Sequence, residues 1–203
     1  AAELLRGAKK PLLIAGGGVR YSGAEVGLAE FATSHRVPVV ETIAGRTVLV
    51  HDHPMNAGPI GGLGSSSANH LAAEADVILA VGTRLQDFTT GSWSLFADDA
   101  RFIGLNAARF DARKHLAQPV VGDAQAGLKE LGNALHGWQA PESWLADARR
   151  AYGEWNGFVD QRSGPTNAEL PTYAHVVGAV NRLAEPRDLA LTAAGGMPGE
   201  LCM

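Results

Sequence analysis

Residues 75–91, ADVILAVGTRLQDFTTG, limit the fold of this 203-residue chain more than any other stretch. Val77–Val81 is apolar throughout, too short for a helix and without the alternation of a half-exposed strand. Such a run fits a strand buried on both faces, as in a parallel α/β sheet. It ends at Gly82-Thr83-Arg84. In open parallel sheets ligands gather beyond the carboxyl ends of the strands, so 82–91 is the first place to look for a site.

Strand and helix patterns alternate around this run. Pro11–Ala15 is a second apolar strand, followed by the turn Gly16-Gly17-Gly18. Ala24, Leu28, Phe31 and Ala32 recur at helical spacing. Val37–Val40 reads as another buried strand ending at Glu41-Thr42. Thr47–Gly64, with Pro54, Pro59 and glycines at 58, 61, 62 and 64, reads as loop. Ser65 or Ser66 is placed to cap a helix whose apolar face is Ala68, Leu71, Ala72 and Ala75. Arg101–Leu105 and Pro119–Val121 add short strands, and Asp123 is the expected cap of a helix over Ala124–Leu135. This order predicts an α/β, Rossmann-like domain over 1–136, built on a doubly wound, mainly parallel sheet.

Beyond residue 136 the pattern changes. Trp144, Ala148, Ala151, Tyr152, Trp155 and Val159 form an apolar stripe on a charged helix from about Pro141 to Arg162, broken by Ser163-Gly164-Pro165. Tyr173, Val176, Val177, Val180, Leu183 and Ala184 mark one face of a further helix. Asp188–Thr192 reads as a strand leading to Ala193-Ala194-Gly195-Gly196. We therefore expect a helical connector over 137–170, then over 171–203 the first helix and strand of a second α/β domain that the chain does not finish. The chain opens without Met on the helix-like Glu3-Leu4-Leu5, and both ends are expected to be cuts through a longer protein. With few partners of its own, Leu170–Met203 is expected to be mobile or irregularly docked.

A formal net charge of −4 and the lack of a basic stripe argue against nucleic acid or an anionic membrane as partner. No apolar run approaches the ~20 residues of a membrane span. The single cysteine, Cys202, excludes an internal disulfide and leaves the compartment open, though a reducing cytosol suits it; a cytoplasmic location is the expectation.

Several residues are candidates for chemistry. Gly16-Gly17-Gly18 lies between a strand and a helix, where exposed amides favour phosphate. Glu41 stands where a dinucleotide site carries its ribose-binding acid, but Tyr21 stands where the third fingerprint glycine would be. A turn that only closes the strand–helix corner explains the glycines equally well. His51-Asp52-His53 has metal-ligand character but lacks further ligands beside it, and a solvated loop is the better reading. Ser65-Ser66-Ser67 near His70 has no Gly-x-Ser-x-Gly elbow, so the serines read as helix caps. Trp93 is the tryptophan placed to line a ligand site. Arg84 suits a phosphate or carboxylate, or a structural ion pair. Gly195-Gly196 presents strand-end amides to an anion, or simply turns the chain.

The motifs PLLIAGGG, VPVVET, HDHPMNAGPIGGLGSSSAN, EADVILAVGTRLQDFTTG, RFIGLN and VVGDA occur in this order between Lys10 and Leu135. Together they resemble the central domain of the thiamine-diphosphate-dependent enzymes of the acetolactate-synthase and pyruvate-oxidase-like group. GTRLQDFTTGS, AGGGVRYSGA, LPTYAHVVGAVNRL and TAAGGMPGEL are most similar to the branch that hydrolyses a cyclic 1,2-diketone in myo-inositol breakdown.

The resemblance implies a full-length enzyme of three α/β domains that uses thiamine diphosphate and Mg²⁺. Its reaction would cleave a ring C–C bond beside a carbonyl and release a 5-deoxyuronic acid with water as acceptor. The substrate is a small molecule, and a homo-oligomer, dimer or tetramer, is implied. The family's catalytic glutamate and its Gly-Asp-Gly…Asn metal motif have no counterpart in the sequence, so no catalytic or metal-binding residue is assigned. The segment implied to approach thiamine diphosphate is Ala194, Gly195, Gly196 and Met197. Relatives that carry FAD on this domain have an acid where Asn106 stands and Arg-Phe-Asp-Asp where Arg84-Leu85-Gln86-Asp87 stands, which argues against FAD. Three alternatives stay open: an acetolactate-synthase-like condensing enzyme, a nucleotide (FAD or NAD) binding module using Gly16, Gly17, Gly18, Arg84 and Asn106, and a scaffold domain for subunit contact.

Overall fold

The computed structural model describes residues 1–185, 187–191 and 195–196. In chain order the elements are α1 (Ala2–Arg6), β1 (Pro11–Ala15), α2 (Gly17–Tyr21), α3 (Glu25–His35), β2 (Val39–Glu41), β3 (Asn56–Pro59), α4 (Ser66–Glu74) and β4 (Val77–Val81). Then follow α5 (Asp87–Thr90), β5 (Arg101–Asn106), α6 (Arg109–Ala112), β6 (Gln118–Val121), α7 (Ala124–Ala134), α8 (Glu142–Ser163) and α9 (Tyr173–Leu183).

The strands form one sheet in the order β3-β2-β1-β4-β5-β6, every pair parallel. The order reverses between β1 and β4, as in a doubly wound α/β fold. Side chains alternate across the sheet. Leu13, Ala15, Leu79, Val81, Ile103 and Leu105 face a core shared with Leu5 of α1, Leu28 and Phe31 of α3, and Leu128 and Leu131 of α7. Leu12, Ile14, Val40, Ile78, Ala80 and Phe102 face a second core with Ala68, Leu71 and Ala72 of α4 and Trp144 and Ala148 of α8. Both faces are thus covered, which is why β1 and β4 are apolar without alternation.

The caps follow local chemistry. The Ser65 hydroxyl accepts the Ala68 N–H at 3.1 Å, and the Asp123 carboxylate accepts the Ala126 N–H at 3.1 Å. Each satisfies an amide that the first helical turn leaves without a partner. Ser22 Oγ donates to Asp123 and ties the end of α2 to the start of α7. This hydrogen bond, with the backbone N–H of Ala126, holds the Asp123 carboxyl below the usual carboxylate range.

Three boundaries differ from the sequence expectation. β3 lies inside the segment read as loop. Asn-Ala-Gly-Pro has little strand propensity, but it pairs with β2 (Val39↔Asn56, Glu41↔Pro59) at the sheet edge, where proline is tolerated, beneath α8. β2 starts at Val39 and not Val37, although the Pro38 carbonyl already accepts the Leu13 N–H at 2.9 Å. Of the strand expected over Asp188–Thr192, residues 188–191 are not extended into a strand, and Thr192 lies outside the described residues. Asp188 instead closes a turn, its carboxylate accepting the Glu185 N–H at 2.8 Å. Leu189 and Leu191 are exposed, and no neighbouring strand lies beside them among the described residues.

α8 is fixed to the sheet by Trp144, whose Nε1–H donates to the Pro11 carbonyl at 2.8 Å. α9 packs on the end of α8, where Gly178 meets Ser163 so closely that no side chain fits. At the opposite sheet edge, Gly122 N–H bonds to Asn106, so the alternate residue Pro119 turns its nitrogen outward. A proline there removes a donor from the free edge and blocks further strand pairing.

Leu79 is fully buried at the centre of β4. Leu79→Ala should lower unfolding free energy by about 2–5 kcal/mol in urea denaturation.

Candidate functional site

The reversal of strand order places a crevice at the carboxyl ends of β1 and β4, where ligands of such sheets sit. Here the turns after β1 and β4 meet backbone to backbone. Gly16 N–H donates to Val81 O (2.8 Å), Gly18 N–H to Gly82 O (2.9 Å) and Val19 N–H to Gly16 O (3.1 Å). Gly82 has φ +60°, and a Cβ on it would lie 2.6 Å from Gly18 Cα. The glycines are required by this approach of two turns, and the amides of Gly16 and Gly18 are bonded within the fold.

Asn106 extends the same brace across β5. Its Nδ2 donates to Thr83 O at 3.0 Å, and its Oδ1 accepts the Ala108 N–H at 2.9 Å. Arg84 is exposed next to it, and its carbonyl accepts from Lys114 Nζ at 2.9 Å, a lysine also paired with Asp111 at 3.3 Å. The structure therefore brings Gly16, Gly17, Gly18, Arg84 and Asn106 to one end of the sheet. The bonds made by Gly16, Gly18 and Asn106 go to neighbouring backbone.

Glu41, at the end of β2, is 1% exposed. Its carboxylate accepts the N–H groups of Leu49 (2.8 Å) and Thr47 (3.2 Å) and meets Arg46 Nη1 at 3.3 Å. It therefore organises residues 42–49 and presents no free oxygen to a ribose. Asn69 performs a similar task on α4: its amide accepts from Gly61 N (3.0 Å) and donates to Gly61 O (2.9 Å). Gly62 N–H then reaches Phe88 O at 2.7 Å, joining the loop after β3 to the loop after β4.

The other candidates have local partners. His51 Nδ1 lies 3.0 Å from the Tyr152 hydroxyl, and burial pushes that phenol above its usual range. His53 Nδ1 accepts the Met55 N–H at 3.2 Å. Among the described residues, no group of three or more His, Cys, Asp or Glu is placed to hold a metal ion. Ser67 Oγ donates to Ala57 O at 2.9 Å and meets Ser65 Oγ at 2.9 Å, both buried under α4. Trp93 stacks on His115 with ring centroids 3.4 Å apart and lines a cleft of about 440 Å³ with Phe96, Phe102 and Leu116. Gly195 and Gly196 are exposed, and a Cβ on Gly196 would come within 2.9 Å of the Tyr173 ring. Ala194 and Met197 lie outside the described residues.

Sequence reasoning did not single out His35, Trp138, Gly27 or Gly132, which line a cleft of about 740 Å³ between α3 and α7. The available signal was a glycine within each of two otherwise regular helical patterns.

Residues 1–131 match the family described as thiamine pyrophosphate enzyme, central domain, and the chain belongs to that family. The chain is 38% identical to a 3D-(3,5/4)-trihydroxycyclohexane-1,2-dione hydrolase of Geobacillus thermodenitrificans (strain NG80-2), with 99% of this chain and 35% of the relative covered. It is 34% identical to the protein of that name from Clostridium tetani (strain Massachusetts / E88), with the same coverage. The chain therefore spans about a third of the length of these curated relatives. No helix among the described residues is long and apolar enough to cross a membrane.

Two outcomes follow from this geometry. Gly82→Ala places a side chain at positive φ against the Gly18 backbone and should cost about 2 kcal/mol or more in urea denaturation, where a cost below about 0.5 kcal/mol would contradict the contact. Burial, with the Lys114 charge, holds the His115 imidazole below the usual histidine range. The unfolded chain then binds this proton more readily than the folded one. The contribution is present above the unfolded value of ~6.5 and is lost as pH falls through the folded value. Between about pH 5 and 7, stability should rise less steeply in His115→Gln than in the parent chain; equal slopes would remove His115 as a source.

Proposed function

We propose that this chain is the central part of a thiamine-diphosphate-dependent hydrolase acting on a C–C bond. The substrate is trihydroxycyclohexane-1,2-dione, opened to a 5-deoxyuronic acid in myo-inositol breakdown. The observation that carries this reading is the match over 99% of the chain to relatives bearing that activity in their names. Water is the acceptor in this reaction, which separates it from keto-acid condensation.

In this reading 1–136 is the central domain, 137–170 a helical connector and 171–203 the start of the diphosphate-binding domain. The exposed apolar residues Tyr173, Val180 and Leu183 on α9 support an element that meets further structure in the whole enzyme. When bound, thiamine diphosphate supplies a carbon nucleophile and an electron sink for C–C scission. Gly195 and Gly196 are exposed and carry no side chain to block the close approach expected of that segment. Mg²⁺ would be held by residues outside this sequence. FAD is not part of the proposal: Gly16 and Gly18 spend their amides on β4, and the Asn106 amide is bonded to Thr83 and Ala108.

The 203-residue chain alone is expected to be inactive and to serve as scaffold and subunit contact in a cytoplasmic homo-oligomer, dimer or tetramer. The test is to assay both the chain and the full-length protein with thiamine diphosphate and Mg²⁺, against the cyclic dione and against pyruvate. Ring opening by the full-length protein alone is expected. Acetolactate formation without ring opening would favour the condensing enzyme, and turnover by the isolated chain would overturn the scaffold role.

A further inference from the structure

A cleft of about 740 Å³ lies on the flank of the sheet. Its floor is α3 and α7, and its end wall is the return segment 136–140. That segment is held to the last turn of α3 by Ala140 N–H on His35 O (2.8 Å) and Gln139 Nε2 on Ser34 O (3.1 Å). The wall is aromatic. The His35 ring meets Phe31 edge-on with centroids 4.7 Å apart and Trp138 at 5.9 Å.

His35 is 5% exposed, and its Nδ1 lies 2.8 Å from the Trp138 carbonyl. A carbonyl only accepts, so Nδ1 carries the hydrogen, and in the neutral ring Nε2 is left as an acceptor. Nε2 has no hydrogen-bond partner among the described residues, and it is not sealed from solvent, since no buried side-chain N or O atom there lacks a partner. It faces the space beside Gly132, where a Cβ would stand 3.8 Å away. Across the cleft, a Cβ on Gly27 would meet nothing within 4 Å. A glycine inside a helix costs about 1 kcal/mol relative to alanine, and among the described residues no contact accounts for Gly27, as none does for Gly153 and Gly157 of α8.

We propose that this cleft is a binding site for a small neutral aromatic molecule carrying one N–H or O–H donor. Phe31, Trp138 and the open position at Gly27 take its ring, and His35 Nε2 accepts its hydrogen. Glu30 and Lys129 lie on the rim with opposite charges, which favours a ligand without net charge. The volume is within the usual range for ligand sites. This site is independent of the reading of the chain as part of a hydrolase.

Indole is a suitable probe, and N-methylindole is the same ring system without the donor. Long-range ¹H–¹⁵N spectra of the 203-residue chain should show a saturable shift at His35 Nε2 on adding indole, with His51, His53, His70, His115 and His175, which lie outside the cleft, unmoved. N-methylindole should bind at least about tenfold more weakly. Gly27→Leu should fill the cleft and raise the indole midpoint more than tenfold while the melting temperature holds or rises, because leucine favours helix over glycine. His35→Phe should keep the aromatic box but bind the two probes alike. No saturable shift up to the solubility of indole, equal midpoints for the two probes on the parent chain, or an unchanged midpoint in Gly27→Leu would each overturn the proposal.

Discussion

The carboxyl end of this domain depends on one contact between two stretches of backbone. β1 and β4 pair in register to their last residues, Ala15 against Val81, so their turns leave the sheet at the same level. Two ordinary turns would collide there. Gly16, Gly18 and Gly82 have no side chains to collide, and the amides of Gly16 and Gly18 donate to the Val81 and Gly82 carbonyls across the point where the strand order reverses. α2 starts from the first turn, and the second carries Thr83, to which Asn106 ties β5. At the position that in other doubly wound folds cradles a ligand, the amides of Gly16 and Gly18 are bonded to the protein's own main chain.

This explains how the phosphate reading and the corner-closing reading of Gly16-Gly17-Gly18 divide. A phosphate cradle needs free amides at a helix start. The sequence shows the absence of side chains, which both readings require, but not where the amides point. That direction comes from Gly82, more than sixty residues away, and is a tertiary fact. Glu41 has the same history. Its place at the end of β2 is legible, while the amides it accepts, Thr47 and Leu49, depend on the path of the following loop.

The parts of the fold that were legible are those in which local pattern and tertiary demand agree. β1 and β4 are apolar because both faces are covered, and the expected ranges coincide with the observed ones. Ser65 and Asp123 cap as their chemistry dictates. β3 was illegible because Asn56–Pro59 becomes a strand through pairing with β2 and cover from α8, with no help from its own propensities. The segment 188–191 is the converse case: an apolar pattern suited to a strand, with no strand beside it among the described residues.

Glycine therefore carries two different meanings in this chain. At 16, 18 and 82 each missing side chain is accounted for by backbone that would occupy the same space. At 61 the same holds, with positive φ and the Phe88 carbonyl against it. At 27 no atom of the described residues stands within 4 Å of where the side chain would begin, so the helix carries the cost of glycine without a packing gain. The carboxyl-end loops have largely bonded their polar atoms to one another. The flank between α3 and α7 keeps an imidazole acceptor at the bottom of an open cleft. The turns at the carboxyl ends of β1 and β4 thus bond to each other, while the His35 imidazole on a different face keeps Nε2 without a partner among the described residues.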